Sequence, residues 1–317
     1  MDYVFIVIGL LMLVFAGDAL VRGAVALSLK LGVSALVVSL TVVAFGTSAP
    51  ELLVGIEATL DGSSALVYGN VVGSNIANVF LVLGVPALIA PIAMSQTGSR
   101  RNFLTMLAVS VLFIAVAGMG GITVWAGVAF FVLLIAILYN TYQGSRADPD
   151  AELPDEVAEA PVDAPMGKVL ATLFAGLIFL PIGASMLISG AQNVATAWGV
   201  PEAVIGLTLV AIGTSLPELA TTIMAAIRRQ ADVALGGVIG SNTFNILAVM
   251  GASSFFGPLP TPPGFMELDF WIMLGAALAM APFIFMKRDL GRFAGAIFLV
   301  VYTAYLVFAV SPGGGHV

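Results

Sequence analysis

The sequence predicts an all-α polytopic membrane protein of ten transmembrane helices, arranged as two inverted-topology repeats of five. Three observations lead there. First, 60 % of the 317 residues are hydrophobic and only 9 % charged, with a mean hydropathy of +1.10, whereas soluble domains carry about 25 % charged residues. Second, the chain repeats itself at a fixed shift of 167 residues. Third, all eleven lysines and arginines fall on one side of the topology that this repeat implies.

Apolar stretches of about 20 residues, enough to cross a bilayer, recur along the whole chain and leave no room for an additional soluble domain. They predict helices over 3–27, 34–60, 64–90, 103–119, 122–143, 167–193, 202–228, 233–256, 269–286 and 290–309. The alternating code of a membrane barrel is absent. The opening "MDYVFIVIGLLMLVFAGDALV" has no basic start and outruns the apolar region of a signal peptide, so it reads as a first membrane helix. Zero cysteines exclude disulfides and thiolate metal sites.

Between the fifth and sixth helices lies "GSRADPDAELPDEVAEAPVDAPM", residues 144–166, with seven acids and one arginine. It accounts for −6 of the net charge of −7, so the acidity belongs to a solvated connector. The expected organisation is a first repeat over 1–143, the acidic linker over 144–166, a second repeat over 167–310 and a tail over 311–317. His316 in that tail is the only histidine.

Shifting by 167 aligns Gly17–Gly84 with Ala184–Gly251 without a gap, giving 26 identities in 68 positions. "LGVSALVVSLTVVAFGTSAPEL" lies over "WGVPEAVIGLTLVAIGTSLPEL", and "GNVVGSNIANV" over "GGVIGSNTFNI". Five helices per repeat force the second repeat to enter from the opposite side, a pattern of secondary transporters. With the N-terminus outside, Arg22, Lys30, Arg100, Arg101, Arg146, Lys168, Arg228, Arg229, Lys287, Arg288 and Arg292 all lie on or beside inner loops. By the positive-inside rule both termini face away from the cytoplasm. Trp125, Trp198 and Trp271 fall near outer helix ends, where interfacial anchors belong.

Polar residues interrupt the apolar code at matched places. Ala44, Thr47, Ser48 and Glu51 are spaced i, i+3, i+4, i+7 and share one helix face; Ala211, Thr214, Ser215 and Glu218 repeat it. Pro50 and Pro217 lack the N–H that a carbonyl four residues back would need, so carbonyls near Thr47 and Thr214 are released. Ser74 with Asn78, and Ser241 with Asn245, add i, i+4 pairs beside Gly73 and Gly240. These groups are all oxygen donors with two carboxylates, and no histidine, cysteine, lysine or arginine is among them. Such a set suits a hard cation. Calcium takes about six to eight oxygens, and two bidentate glutamates with the two threonine carbonyls would supply six. A carboxylate at mid-membrane costs about 2.5–3.5 kcal/mol, and two placed symmetrically are hard to explain without a ligand.

Other acids carry weaker expectations. Asp18 pairs with Arg22 or lines an ion exit; Glu57 and Asp61 attract cations at the outer mouth or sit at a solvated helix end.

The pairs "GTSAPE…GSNIAN" and "GTSLPE…GSNTFN" resemble the two alpha repeats, residues 44–84 and 211–251, of the sodium/calcium exchanger family within the cation/calcium antiporter superfamily. The short linker looks like the prokaryotic branch. The resemblance covers essentially the whole chain and implies a secondary antiporter, not an enzyme, in a bacterial inner membrane with both termini periplasmic. The resemblance implies exchange of Ca2+ for Na+ by exposing one midplane site alternately to each side, with helices 1 and 6, which lack the polar stripe, as expected sliding elements. It implies that Glu51 and Glu218 are shared ligands and that Thr47 and Thr214 give backbone carbonyls to calcium. Ser48, Ser215, Ser74, Ser241, Ala44 and Ala211 would line sodium sites, with Asn78 and Asn245 completing the centre. Some members carry aspartate at one of these last two positions, and this chain has asparagine at both, so sodium stoichiometry and proton coupling stay open. The implied partners are the ions and the lipid bilayer, with no prosthetic group, no nucleic acid and no obligatory protein partner. The alternative on the same scaffold is a Ca2+/H+ antiporter whose glutamates carry the protons. An intramembrane enzyme acting on lipid phosphates would need basic residues at the site, and all eleven sit at the inner edge.

Overall fold

The structure, a computed structural model, describes residues 1–94, 98–146, 164–198 and 213–310. Helix α1 (Asp2–Leu31) is followed by a broken span of two arms, α2 (Ala35–Thr47) and α3 (Ala49–Leu60), bent by 43°. Then come α4 (Ser64–Ile89), α5 (Ser99–Gly118) and α6 (Val124–Arg146). Past the linker stand α7 (Met166–Ala197), α8 (Leu216–Ile227), α9 (Ala231–Ser253), α10 (Phe265–Phe285) and α11 (Arg292–Val310). Among the described residues eight helices are long and apolar enough to cross a membrane, or nine with the broken pair counted as one span. α8 is the described part of the helix expected over 202–228; residues 199–212, Ala211 among them, lie outside the described set.

Helix ends depart from the sequence expectation where polar residues are absorbed locally. α1 continues past residue 27 because Ser28 Oγ donates to the Val25 carbonyl at 2.8 Å, hiding the hydroxyl inside the helix. It stops at Gly32, whose φ of 64° is the left-handed cap that glycine adopts without strain.

α1 and α7 run antiparallel along their whole length, Gly23 beside Leu173 at one end and Gly190 beside Asp2 at the other. A Cβ on Gly9 would stand 2.6 Å from the Leu187 nitrogen, and one on Gly176 would stand 2.8 Å from the Leu20 nitrogen. Gly9 with Leu187 and Gly176 with Leu20 are one contact under the 167-residue shift. Small residues allow such backbone approach where burial from water gives no drive.

The centre belongs to α4 and α9. The most apolar window of α9 is 94 % buried and that of α4 72 %, against 17 % for α6 and α11, which present apolar faces outward. α2 reaches this centre through glycine: a Cβ on Gly240 would stand 2.6 Å from the Ala44 Cβ.

Short contacts close the two ends. β1 (Gly121–Ile122) pairs antiparallel with β2 (Leu259–Pro260), while at the other end of α5 Ile92 bridges to Leu290. Beneath the β1–β2 pair, buried Tyr68 packs on Phe113, Phe265 and Phe270. At the Ile92 end, Arg100 donates to the Phe285 carbonyl at 2.9 Å. Asp18 pairs with Arg22 at 2.7 Å and also with Arg228, joining α1 to the end of α8. Trp125, Trp198 and Trp271 are exposed, as anchors at helix ends would be, and none fills core.

Candidate cation site

The break between α2 and α3 is built by sequence. Ser48 leaves helical geometry (φ −84°, ψ 7°), and Pro50 opens the next arm where its missing N–H costs nothing. The Gly46 carbonyl is left without its helical partner, and Glu51 falls in the first turn of α3. The second copy does the same. Ser215 (φ −86°, ψ 4°) precedes α8, Pro217 sits in its first two positions, and Glu218 in its first turn. Each carboxylate thus lies at the positive end of a helix that begins inside the protein. Upstream of the first break, α2 contains a π-helical turn at Ser39–Val43; α9 contains another at Asn245–Val249, starting on a predicted site residue. Such turns often mark functional sites.

The two copies meet. Glu218 Oε1 accepts from Ser48 Oγ at 3.4 Å and from Ser241 Oγ at 3.3 Å, and Thr47 Oγ1 lies 3.5 Å from Ser241 Oγ. One carboxylate oxygen therefore gathers the α2–α3 break, α8 and α9. The backbone behind each glutamate is held as well: Asn70 Nδ2 donates to the Glu51 carbonyl at 3.0 Å and Thr222 Oγ1 to that of Glu218 at 2.8 Å.

Most informative are the oxygens left over. Glu51 Oε2, Glu218 Oε2, Asn78 Oδ1, Asn245 Oδ1 and Ser215 Oγ are buried and have no hydrogen-bond partner among the described residues. Native proteins leave very few such atoms, because each forfeits its hydration for nothing. Five lie in the matched motifs, two of them on carboxylates, while others, on Ser99, Asp232 and Ser253, lie outside them; the clustering of the five, more than their number, points to a cation. Among the described residues no three Asp, Glu, His or Cys side chains form a metal group, so a cation held here takes two carboxylates and otherwise neutral oxygens. That donor set fits a hard cation and lacks what zinc or copper prefers.

Of the predicted site residues, Ala44, Thr47, Ser48, Glu51, Ser74, Asn78, Ser215, Glu218, Ser241 and Asn245 are buried, and Thr214 is half-buried in the turn before α8. Hydrogen bonds bring Thr47, Ser48, Glu218 and Ser241 together; Ala211 lies outside the described residues. Two buried asparagines were not singled out, Asn75 and Asn242. Asn75 Nδ2 donates to the Asn242 carbonyl at 3.3 Å and Asn242 Nδ2 to the Asn75 carbonyl at 3.4 Å. Asn78 Nδ2 donates to Asn242 Oδ1 at 3.0 Å and Asn245 Nδ2 to Asn75 Oδ1 at 3.1 Å. Their signal was present: both are identical under the 167-residue shift.

The family profile described as sodium/calcium exchanger protein matches residues 1–143 and 168–311, one stretch on either side of the linker. The chain belongs to the sodium/calcium exchanger family. It is 32 % identical over 341 residues to the sodium/calcium exchanger MaX1 of Methanosarcina acetivorans, covering 96 % of this chain and 97 % of that one. With the inner membrane protein YrbG of Escherichia coli it shares 34 % over 282 residues, 87 % and 86 % of the two chains. Among solved structures it superposes on the sodium-calcium exchanger NCX_Mj soaked with Na+ and Sr2+, with a TM-score of 0.83 at 31 % identity, over 96 % of this chain and 97 % of that one. The chain is therefore a multi-pass membrane protein and a cation/calcium antiporter; its relatives are transporters, not enzymes. The lipid-phosphate enzyme reading therefore falls away.

Proposed function

We propose that the chain exchanges Ca2+ for Na+ by alternating access to one midplane cluster. Its ligands are Glu51, Glu218, the carbonyls of Thr47 and Thr214, and Asn78 and Asn245. Ser48, Ser215, Ser74, Ser241, Ala44 and Ala211 line the flanking sodium positions. The observation that carries this is the set of five buried, unpartnered oxygens contributed by both motifs.

The scaffold we infer has ten helices in two inverted repeats, 1–143 and 167–310, joined by the linker 144–166 and followed by the tail 311–317. Equivalent helices of inverted repeats must run antiparallel, and the α1–α7 packing through Gly9 and Gly176 supports that. The end contacts agree: α5–α6 loop to α9–α10 loop at one end is the mate of α4–α5 loop to α10–α11 loop at the other. With basic residues inward, both termini are periplasmic; the relative YrbG is named an inner membrane protein, which supports that membrane here. α1 and α7 are the sliding pair.

The test is calcium-45 uptake into liposomes holding the purified protein, with sodium, potassium or proton gradients imposed separately. Uptake driven by outward sodium alone is expected. Uptake driven by a pH gradient without sodium would instead establish Ca2+/H+ antiport, with Glu51 and Glu218 carrying the protons.

A further inference from the structure

Asn78 and Asn245 each offer a ligand position one oxygen and one NH2 of nearly the same shape. An NH2 turned toward a cation repels it, so the site works only if both amides are held oxygen-inward. We infer that Asn75 and Asn242 are positioning residues that fix this orientation. The inference rests on the reading of Asn78 and Asn245 as cation ligands.

The logic starts from two backbone carbonyls, which can only accept. Asn75 Nδ2 donates to the Asn242 carbonyl at 3.3 Å, so Asn75 Oδ1 lies on the other side of its amide and must receive. What faces it at 3.1 Å is the Asn245 amide, which therefore presents Nδ2. Asn245 Oδ1 is turned away from Asn75, and it is one of the buried oxygens without a partner among the described residues. The mate follows the same steps. Asn242 Nδ2 donates to the Asn75 carbonyl at 3.4 Å, Asn242 Oδ1 accepts from Asn78 Nδ2 at 3.0 Å, and Asn78 Oδ1 is left unpartnered. The remaining contact of Asn75 Nδ2, Met273 Sδ at 3.7 Å, is a weak acceptor and favours the same orientation. Asn75 and Asn242 are 2 % and 3 % exposed, so these bonds are shielded from bulk water. The crossing of α4 and α9 thus dictates which atoms of Asn78 and Asn245 meet the ion.

A carboxylate shows oxygen whichever way it rotates, and this separates positioning from mere support. The measurement is the calcium KM of calcium-for-calcium exchange in liposomes, which needs no coupling ion, for four proteins: native, Asn75→Ala, Asn245→Asp and the double variant. Losing a partner that orients a ligand costs about 10–100-fold in metal affinity. Asn75→Ala should therefore raise the calcium KM about tenfold or more in the native background, and less than about twofold in the Asn245→Asp background. An equal factor in both backgrounds would overturn the inference. The mate cycle, Asn242→Ala with Asn78→Asp, gives the same answer should Asn75→Ala fail to accumulate as folded protein. Glu51→Gln in the same assay keeps the two levels apart. If it abolishes exchange while the Asn75→Ala factors are equal, only the positioning role is lost. If it exchanges calcium with native KM, the site itself has been misplaced.

Discussion

Glu51 and Glu218 each bring a carboxylate to the middle of the protein with one oxygen that has no hydrogen-bond partner among the described residues. Replacing either by glutamine keeps the shape and removes one of two charges that offset the dehydration of a divalent ion. Losing one partner of a buried charge pair costs about 3–5 kcal/mol, so Glu51→Gln and Glu218→Gln should each cut calcium exchange more than about a hundredfold. The proteins should still elute as folded monodisperse species. Thr47→Ser should cost far less, because the ligand assigned there is a backbone oxygen; calcium-45 flux on the three variants checks both statements. The same scale explains what the sequence hid. An i, i+4 criterion pairs Ser74 with Asn78 and passes over Asn75, which stands about 100° from Ser74 and about 60° from Asn78. It ranks residues by whether they face a common ligand, and Asn75 faces the partner helix instead. The glutamates, by contrast, were legible because charge inside an apolar run has few structural uses.

At the scale of elements, most spans were legible because apolar runs of that length have one stable form in a bilayer. The break at Ser48 and the helix start after Ser215 fall where the prolines place them. The two-residue strands did not, since pairing at Ile122 and Leu259 depends on which loops the bundle brings together. Nor did the length of α1 and α7, at 30 and 32 residues, since Ser28 and Asn193 satisfy their polar groups by contacts the sequence does not display. What holds that pair is close backbone approach at glycine. Gly176→Val would drive a branched side chain into the Leu20 backbone and the Ala16 carbonyl, and overpacking of this kind costs about 1–3 kcal/mol. A lowered thermal midpoint in detergent is expected. Gly275→Val is the control, because no described atom beyond its chain neighbours and its own helix backbone lies within 4 Å of its added Cβ and the midpoint should hardly move. Equal shifts in both variants would mean that α1 and α7 are not held by this contact.

For the whole molecule, the chain has no cysteine, so single cysteines report topology without prior engineering. Met119, at 81 % exposure, and the exposed Pro260 lie at the β1–β2 end, while Met286, at 60 %, lies at the Arg100 end. Cysteines at the first two positions should react with an impermeant thiol reagent on intact cells, and one replacing Met286 only after the membrane is opened. The reverse pattern would turn the proposed orientation upside down.

The ion cluster sets the energetics of the same whole molecule. Glu51 and Glu218 contribute −2, and asparagine at both 78 and 245 adds nothing. In the proposed cluster one calcium ion would leave the loaded site neutral, and three sodium ions would leave it at +1. Only the sodium-loaded passage then carries net charge across the membrane. A potential of 100 mV acts on one charge with up to about 2.3 kcal/mol, equivalent to about a fiftyfold bias on the calcium gradient ratio at equilibrium. The expected outcome is electrogenic exchange at three sodium per calcium. It is checked by sodium-driven calcium flux in liposomes whose voltage is clamped with potassium and valinomycin. The equilibrium point should shift with the clamped potential and reverse with its sign. If it stays fixed, two sodium ions balance each calcium, both passages are neutral, and one of the flanking positions lined by Ser48, Ser74, Ser215 and Ser241 holds no transported sodium.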